Sequence, residues 1–168
     1  MRFLLFYLIC CLSLFAWELD PKSTIGFKAY SWLENPEGKF HNFELANFDN
    51  KTLQGTLKIR VASVDTGSEG RDEHLIDEDF FHVERYPMAN IKVVKVDKAE
   101  RTAFIVLTIK DIPKKYQVPI TVQRSESLIR VTGSFSINRS HFEINYNSIF
   151  NRIQDKVDLS FELHLTKN

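Results

Sequence analysis

KVDLSFELHL, residues 156–165, is the stretch whose reading decides the fold class. Val157, Leu159, Phe161, Leu163 and Leu165 recur at every second position, with Asp158, Ser160, Glu162 and His164 between them. Period two sends the two sets to opposite sides of an extended chain, so this is a strand with one buried and one wet face. The same alternation runs outward through TLKIRVASV (56–64), NIKVVKV (90–96), YQVPITV (116–122) and LIRVTGSFSI (128–137). AFIVLTI (103–109) is apolar on both sides except at Thr108, which suits a strand covered on both faces. Turn-forming clusters at 35–38, 49–51, 97–100, 111–115 and 124–127 divide the chain into about seven or eight strands. One interruption stands out: residues 67–87 lack alternation and put Leu75, Ile76, Phe80 and Phe81 at helical spacing after an acidic start. This segment reads as a short helix and a loop, bounded by Pro87. A mostly β chain with one helix fits either a sandwich or a closed barrel.

The 168 residues suffice for one domain and one core. With 22 basic and 22 acidic residues interleaved along the chain, there is no steering field or basic stripe for nucleic acid. The first sixteen residues place Arg2 ahead of an apolar run from Phe3 to Ala16, which reads as a signal peptide over 1–16 and a folded domain over 17–168. That run is shorter than the roughly 20 residues a membrane-spanning helix needs. Both cysteines, Cys10 and Cys11, lie within it, so the mature chain would hold no disulfide. A second reading takes Leu8-Ile9-Cys10-Cys11 as a degenerate lipobox, in which lipidation of Cys11 would give weak membrane association.

Asp72, His74, Asp77, Asp79 and His82 crowd one segment, but the two His are eight apart, which is wrong for neighbours on one helical face. A solvated acidic face explains the cluster without a metal, and no cofactor motif occurs. The chain has no G-x-S-x-G elbow, no H-E-x-x-H and no glycine-rich phosphate loop, which argues against an enzyme. Phe is abundant, at 14 residues, of which only Phe3, Phe6 and Phe15 fall in the leader. Such rings either pack a core or line a tunnel, and composition leaves both open.

Several motifs, in order, resemble the YceI-like family of exported lipocalin-like proteins. WELDPKSTIGFKA carries Leu19, Asp20, Ser23, Ile25 and Phe27 in the expected order, and Gly38, Phe40 and Phe43 fit a G-x-F-x-x-F element. The most specific piece is SVDTGSEGRDEHLIDEDFF (63–81), with Ser63, Val64, Thr66, Arg71, Asp72, His74, Leu75, Asp79, Phe80 and Phe81 at nearly fixed spacing, followed by Tyr86, Pro87 and Ile91. Asn138, Arg139 and Phe142 fit a later motif, and Ile153, Asp155, Val157 and Leu159 the closing strand. The chain departs from the pattern at Tyr30, where His is frequent, at Asp111 and Glu143, where Gly is typical, and at His141, where Asp is.

The resemblance implies an eight-stranded antiparallel lipocalin-like barrel with a short helix covering one end. Its interior would hold a long-chain isoprenoid, quinone or fatty ligand, in a periplasmic or secreted protein that forms a homodimer. Ligand-binding residues expected on this basis are Phe27, Phe40, Phe43, Phe80, Phe81, Ile91, Phe104, Phe135 and Phe142, with Arg71, His74 and Arg139 facing a headgroup. The alternative is a stress-linked or structural interaction protein with a packed, ligand-free barrel.

Overall fold

Alternation produces strands along most of the chain in the computed structural model, which describes residues 17–145 and 153–167. The leader, including Cys11, lies outside the described residues. Eleven strands occur in chain order: β1 Trp17–Leu19, β2 Thr24–Ser31, β3 Glu37–Phe40, β4 Phe43–Asp49, β5 Gln54–Arg60, β6 Val64–Asp65, β7 Met88–Asp97, β8 Thr102–Ile109, β9 Ile112–Arg124, β10 Leu128–Asn138 and β11 Ile153–Lys167. One helix, α1, spans Glu69–Ile76, and short 3₁₀ turns cover Val61–Ser63 and Arg139–Phe142.

All pairings are antiparallel, in the order β4-β5-β7-β8-β9-β10-β11-β2-β3-β6, with β1 paired to β11. This corrects the expected closed eight-stranded barrel: the eleven strands form an open, curled sheet that sweeps 294°. The break falls at two bends. The chain bends at His41-Asn42 between β3 and β4, and again through Val61–Ser63 between β5 and β6. β3 meets β6 at only two positions, Lys39↔Asp65 and Phe40↔Val64, while β4 follows β5. Across the bends, His41 N donates to Ser63 O (3.1 Å) and Arg60 N to Asn42 O (2.9 Å). A hydrogen bond between His41 Nε2 and Asp65 Oδ2 (2.7 Å) reinforces this seam and, with the Gly67 N–H, holds the Asp65 carboxyl below its ordinary pKa.

The wall is closed most firmly where β10 and β11 pair over eleven positions, Leu128↔Thr166 to Asn138↔Lys156. β9 meets β10 only from Gly133↔Ile120 to Ile129↔Arg124, so these two strands part towards the α1 end. Pro119 lies where the ladder stops, and its ring nitrogen has no N–H to continue it. The β8–β9 hairpin turns on Lys110 and Asp111, both left-handed (φ 50° and 59°), the backbone of a two-residue hairpin turn. Asp111 and Glu143 (φ 56°) therefore keep the left-handed backbone that Gly adopts most easily, at the two positions where the sequence resemblance leads one to expect Gly.

Candidate ligand-binding cavity

The inward faces of the strands enclose a cavity of about 330 Å³ beneath α1 and a second of about 90 Å³ further down the axis. Strand parity builds both. On β8, Ala103, Ile105, Leu107 and Ile109 point in and are buried, and on β11 Val157, Leu159, Phe161, Leu163 and Leu165 line the cavities, Leu165 buried and the other four half-buried. Leu57, Ile91, Phe135 and Phe161 line both cavities and so form the division between them. Two glycine–Phe cross-strand pairs seat lining rings. A Cβ on Gly38 would lie 2.5 Å from Phe27 Cζ, and one on Gly133 2.6 Å from Phe161 Cζ.

Of the twelve residues expected to bind ligand, nine line the upper cavity: Phe27, Phe40, Arg71, His74, Phe80, Phe81, Ile91, Phe135 and Arg139. Phe27, Phe40 and Phe81 form a chain of ring contacts from wall to cover, with centroids 5.8 and 6.5 Å apart. Three expected residues are elsewhere. Phe142 is fully buried in the packed core, and Phe43 packs against that core without reaching the cavity. Phe104 alternates with the inward residues of β8 and lies instead under the Lys95 ammonium, 5.6 Å from its centroid. Sequence reasoning did not single out Leu57, Leu107, Ile137, Leu159 and Phe161 as lining, although alternation marked all of them but Leu107 as inward.

The cover is α1 with the turns after it. Thr66 ties its start: its N–H and hydroxyl both donate to Asp72 Oδ1 (2.9 and 2.6 Å), and its hydroxyl oxygen accepts from Arg71 Nε (2.9 Å). Arg71 also pairs with Glu34 on the turn between β2 and β3. No residue of α1 is fully buried, so polar ties and the rings of Phe80 and Phe81 hold the cover down. Phe80 is buried beneath it, edge-on to His74 at 5.0 Å.

Among the described residues, Thr66, Arg71, His74, Arg139 and Ser160 are the polar residues that line the upper cavity, and none lines the lower one. Both guanidinium groups are already engaged. Arg139 donates to three backbone carbonyls, those of Ile144 (2.5 Å), Ile153 (3.1 Å) and Gln154 (3.2 Å), bracing the chain on either side of the mouth. Tyr30 lies on the outer face: its hydroxyl donates to Asp158 Oδ2 (2.6 Å), while Ser136 Oγ donates to Oδ1 (2.5 Å). These bonds, from Ser136 first and Tyr30 second, lower the Asp158 pKa to about 2, and the bond to Asp158 raises that of Tyr30. Tyr116 packs against Phe135, with centroids 5.3 Å apart, and its buried hydroxyl has no hydrogen-bond partner among the described residues. Burial raises the pKa of this phenol. Among the described residues, no group of three or more His, Cys, Asp or Glu is placed to hold a metal ion.

A curled antiparallel sheet wrapped round an apolar cavity, with one helix over its mouth, places the protein in the lipocalin-like class. Residues 17–165 match the family model described as a YceI-like domain, and the chain belongs to the YceI-like family. It is 35% identical over 82 residues to the UPF0312 protein plu2095 of Photorhabdus laumondii subsp. laumondii, a match covering 44% of this chain and 41% of that protein. Among solved structures it is similar to BcnA of Burkholderia cenocepacia, with a TM-score of 0.76 at 24% identity, covering 87% of this chain and 98% of BcnA. A polyisoprenoid-binding domain from Saccharophagus degradans gives a TM-score of 0.77 at 19% identity, covering 92% of this chain and 99% of that one. The Campylobacter jejuni YceI protein gives 0.68 at 24% identity, covering 82% and 87%. The family is one of non-catalytic lipid carriers whose members are typically periplasmic or secreted.

Proposed function

We propose that this protein binds a long-chain amphiphile, a polyisoprenoid, an isoprenoid quinone or a fatty amide or acid, and carries or sequesters it in the periplasm after export by the residue 1–16 leader. One observation carries the reading: an apolar cavity of about 330 Å³ that continues towards a second apolar chamber. Unfilled apolar space of this kind supports a bound chain over a packed, ligand-free protein. Such a chain would gain about 0.8 kcal/mol for each methylene buried.

The cavity lining supports the residue roles. Phe27, Phe40, Phe81 and Phe135 would contact the chain, with His74 near the headgroup at the mouth. Arg71 and Arg139 are both held by protein partners, which weighs against a pyrophosphate headgroup. Protein purified from its own host should release such a lipid on solvent extraction and show its added mass in native mass spectrometry. Protein with no lipid by both methods would sink the carrier reading. N-terminal sequencing of the periplasmic fraction tests the leader, with Trp17 as the expected first residue.

A further inference from the structure

The turn joining β2 to β3 holds two adjacent large apolar residues in water: Trp32 and Leu33 are each 76% exposed. Exposure of that kind is unfavourable unless something covers it. The turn is also built to keep them outward. Ser31 N and Ser31 Oγ both donate to Glu34 O (3.1 and 2.6 Å), and Glu34 N donates back to Ser31 Oγ (3.3 Å). The Glu34 carboxylate takes the Arg71 guanidinium, which neutralises the only charged side chain between Ser31 and Pro36. At its base, Ala29 N donates to Pro36 O (2.9 Å), and Ala29, Pro36 and Arg71 all line the upper cavity. A rigid, uncharged, apolar tip therefore stands on the rim of the cavity mouth.

We propose that Trp32 and Leu33 insert into the interface of a zwitterionic lipid bilayer and set the cavity mouth against it. Trp settles at the bilayer interface, and a tip without net charge needs no anionic lipid. No helix among the described residues is long and apolar enough to cross a membrane, so the contact is peripheral. The inference rests on the carrier reading, since it gives an apolar ligand a path between bilayer and cavity that avoids water.

The test uses the mature chain, phosphatidylcholine vesicles and retinol as a fluorescent apolar probe. In a Trp17→Phe background Trp32 is the sole tryptophan, and its emission should shift to the blue when vesicles are added. A Trp32→Ser, Leu33→Ser variant should collect retinol from vesicles about tenfold more slowly, yet take it up from an ethanolic dispersion at the unmodified rate. Unchanged Trp32 emission, or unimpaired transfer from vesicles by the variant, would overturn the proposal. So would a shift that appears only with phosphatidylglycerol vesicles, because it would assign the contact to charge. If the unmodified chain takes up retinol from neither source, the carrier reading fails, and the Trp32 emission still decides whether the tip meets lipid.

Discussion

The upper and lower chambers share apolar side chains from β5, β7, β8, β10 and β11, yet the upper holds about 330 Å³ with polar groups at its rim and the lower about 90 Å³ with none among the described residues. Strand pairing makes the difference. Around the lower chamber β9, β10 and β11 are fully laddered, and Leu53, Ile129 and Leu165, between 0% and 9% exposed, close its floor. The turns beneath are tied as well, by Arg124 Nη2 to Asn50 O (2.5 Å) and Lys98 Nζ to Lys51 O (2.9 Å). Around the upper chamber β9 and β10 have parted, and the Arg139–Phe142 turn with Lys110 Nζ donating to Glu143 O (3.1 Å) fills part of the gap. Volume is left where ladders end, and it is closed off where they persist.

The strongest way to break this contrast is to open the floor. Ile129→Ala removes a fully buried side chain and should cost about 2–5 kcal/mol by urea unfolding, whereas Leu75→Ala on the cover should cost under about 1.5 kcal/mol because that residue is only half-buried. Equal costs would mean that the two ends are not different in kind. Next comes the division itself. Phe161→Ala should join the chambers and shift preference to longer chains, by about 0.8 kcal/mol for each further methylene buried. Titration with alcohols of increasing length reads this directly, and an unchanged length optimum would show that Phe161 does not limit depth.

Smaller effects sharpen the picture. Tyr116→Phe removes a buried hydroxyl that has no partner and should raise stability by about 1 kcal/mol in thermal unfolding. A loss instead would reveal a hydrogen bond to bound ligand or water. Least of all is the effect of acid on the upper wall, where Asp158 ties β2, β10 and β11 together on the outer face. Its pKa is lowered from 3.8 to about 2 in the folded protein, so its contribution is complete above pH 3.8 and is lost as pH falls through about 2. The slope of stability against pH in that window should flatten in Asp158→Asn, and an unaltered slope would assign acid sensitivity elsewhere.

Much of this was legible from residue spacing, and the failures have definite causes. Period two located the strands and their inward faces, and the 63–81 motif located the cover. Phe104 lies off the cavity wall, which spacing does not reveal because 103–109 is apolar on both faces and hides parity. Phe43 and Phe142 lie off it too, which was hidden because an aromatic ring in a core and one on a cavity wall look the same in sequence. The open sheet depends on bends at 41–42 and 61–63, set by how distant segments meet, and no local pattern marks them. The longer-range partners of Arg71 and Arg139, at Glu34, Ile153 and Gln154, were equally hidden, because they are near in space and separated along the chain.

The contact between Gly133 and Phe161 constrains the order in which this protein can change. Any side chain larger than hydrogen at position 133 meets the Phe161 ring at 2.6 Å, so a lineage cannot fill that site first. Shrinking position 161 is not enough to free it, because a Cβ at 133 would also lie 2.9 Å from the Pro119 backbone oxygen. Chain-length preference in relatives of this protein would then change at position 161 while 133 stays glycine, so the ring is the adjustable partner across this rung and the glycine the fixed one.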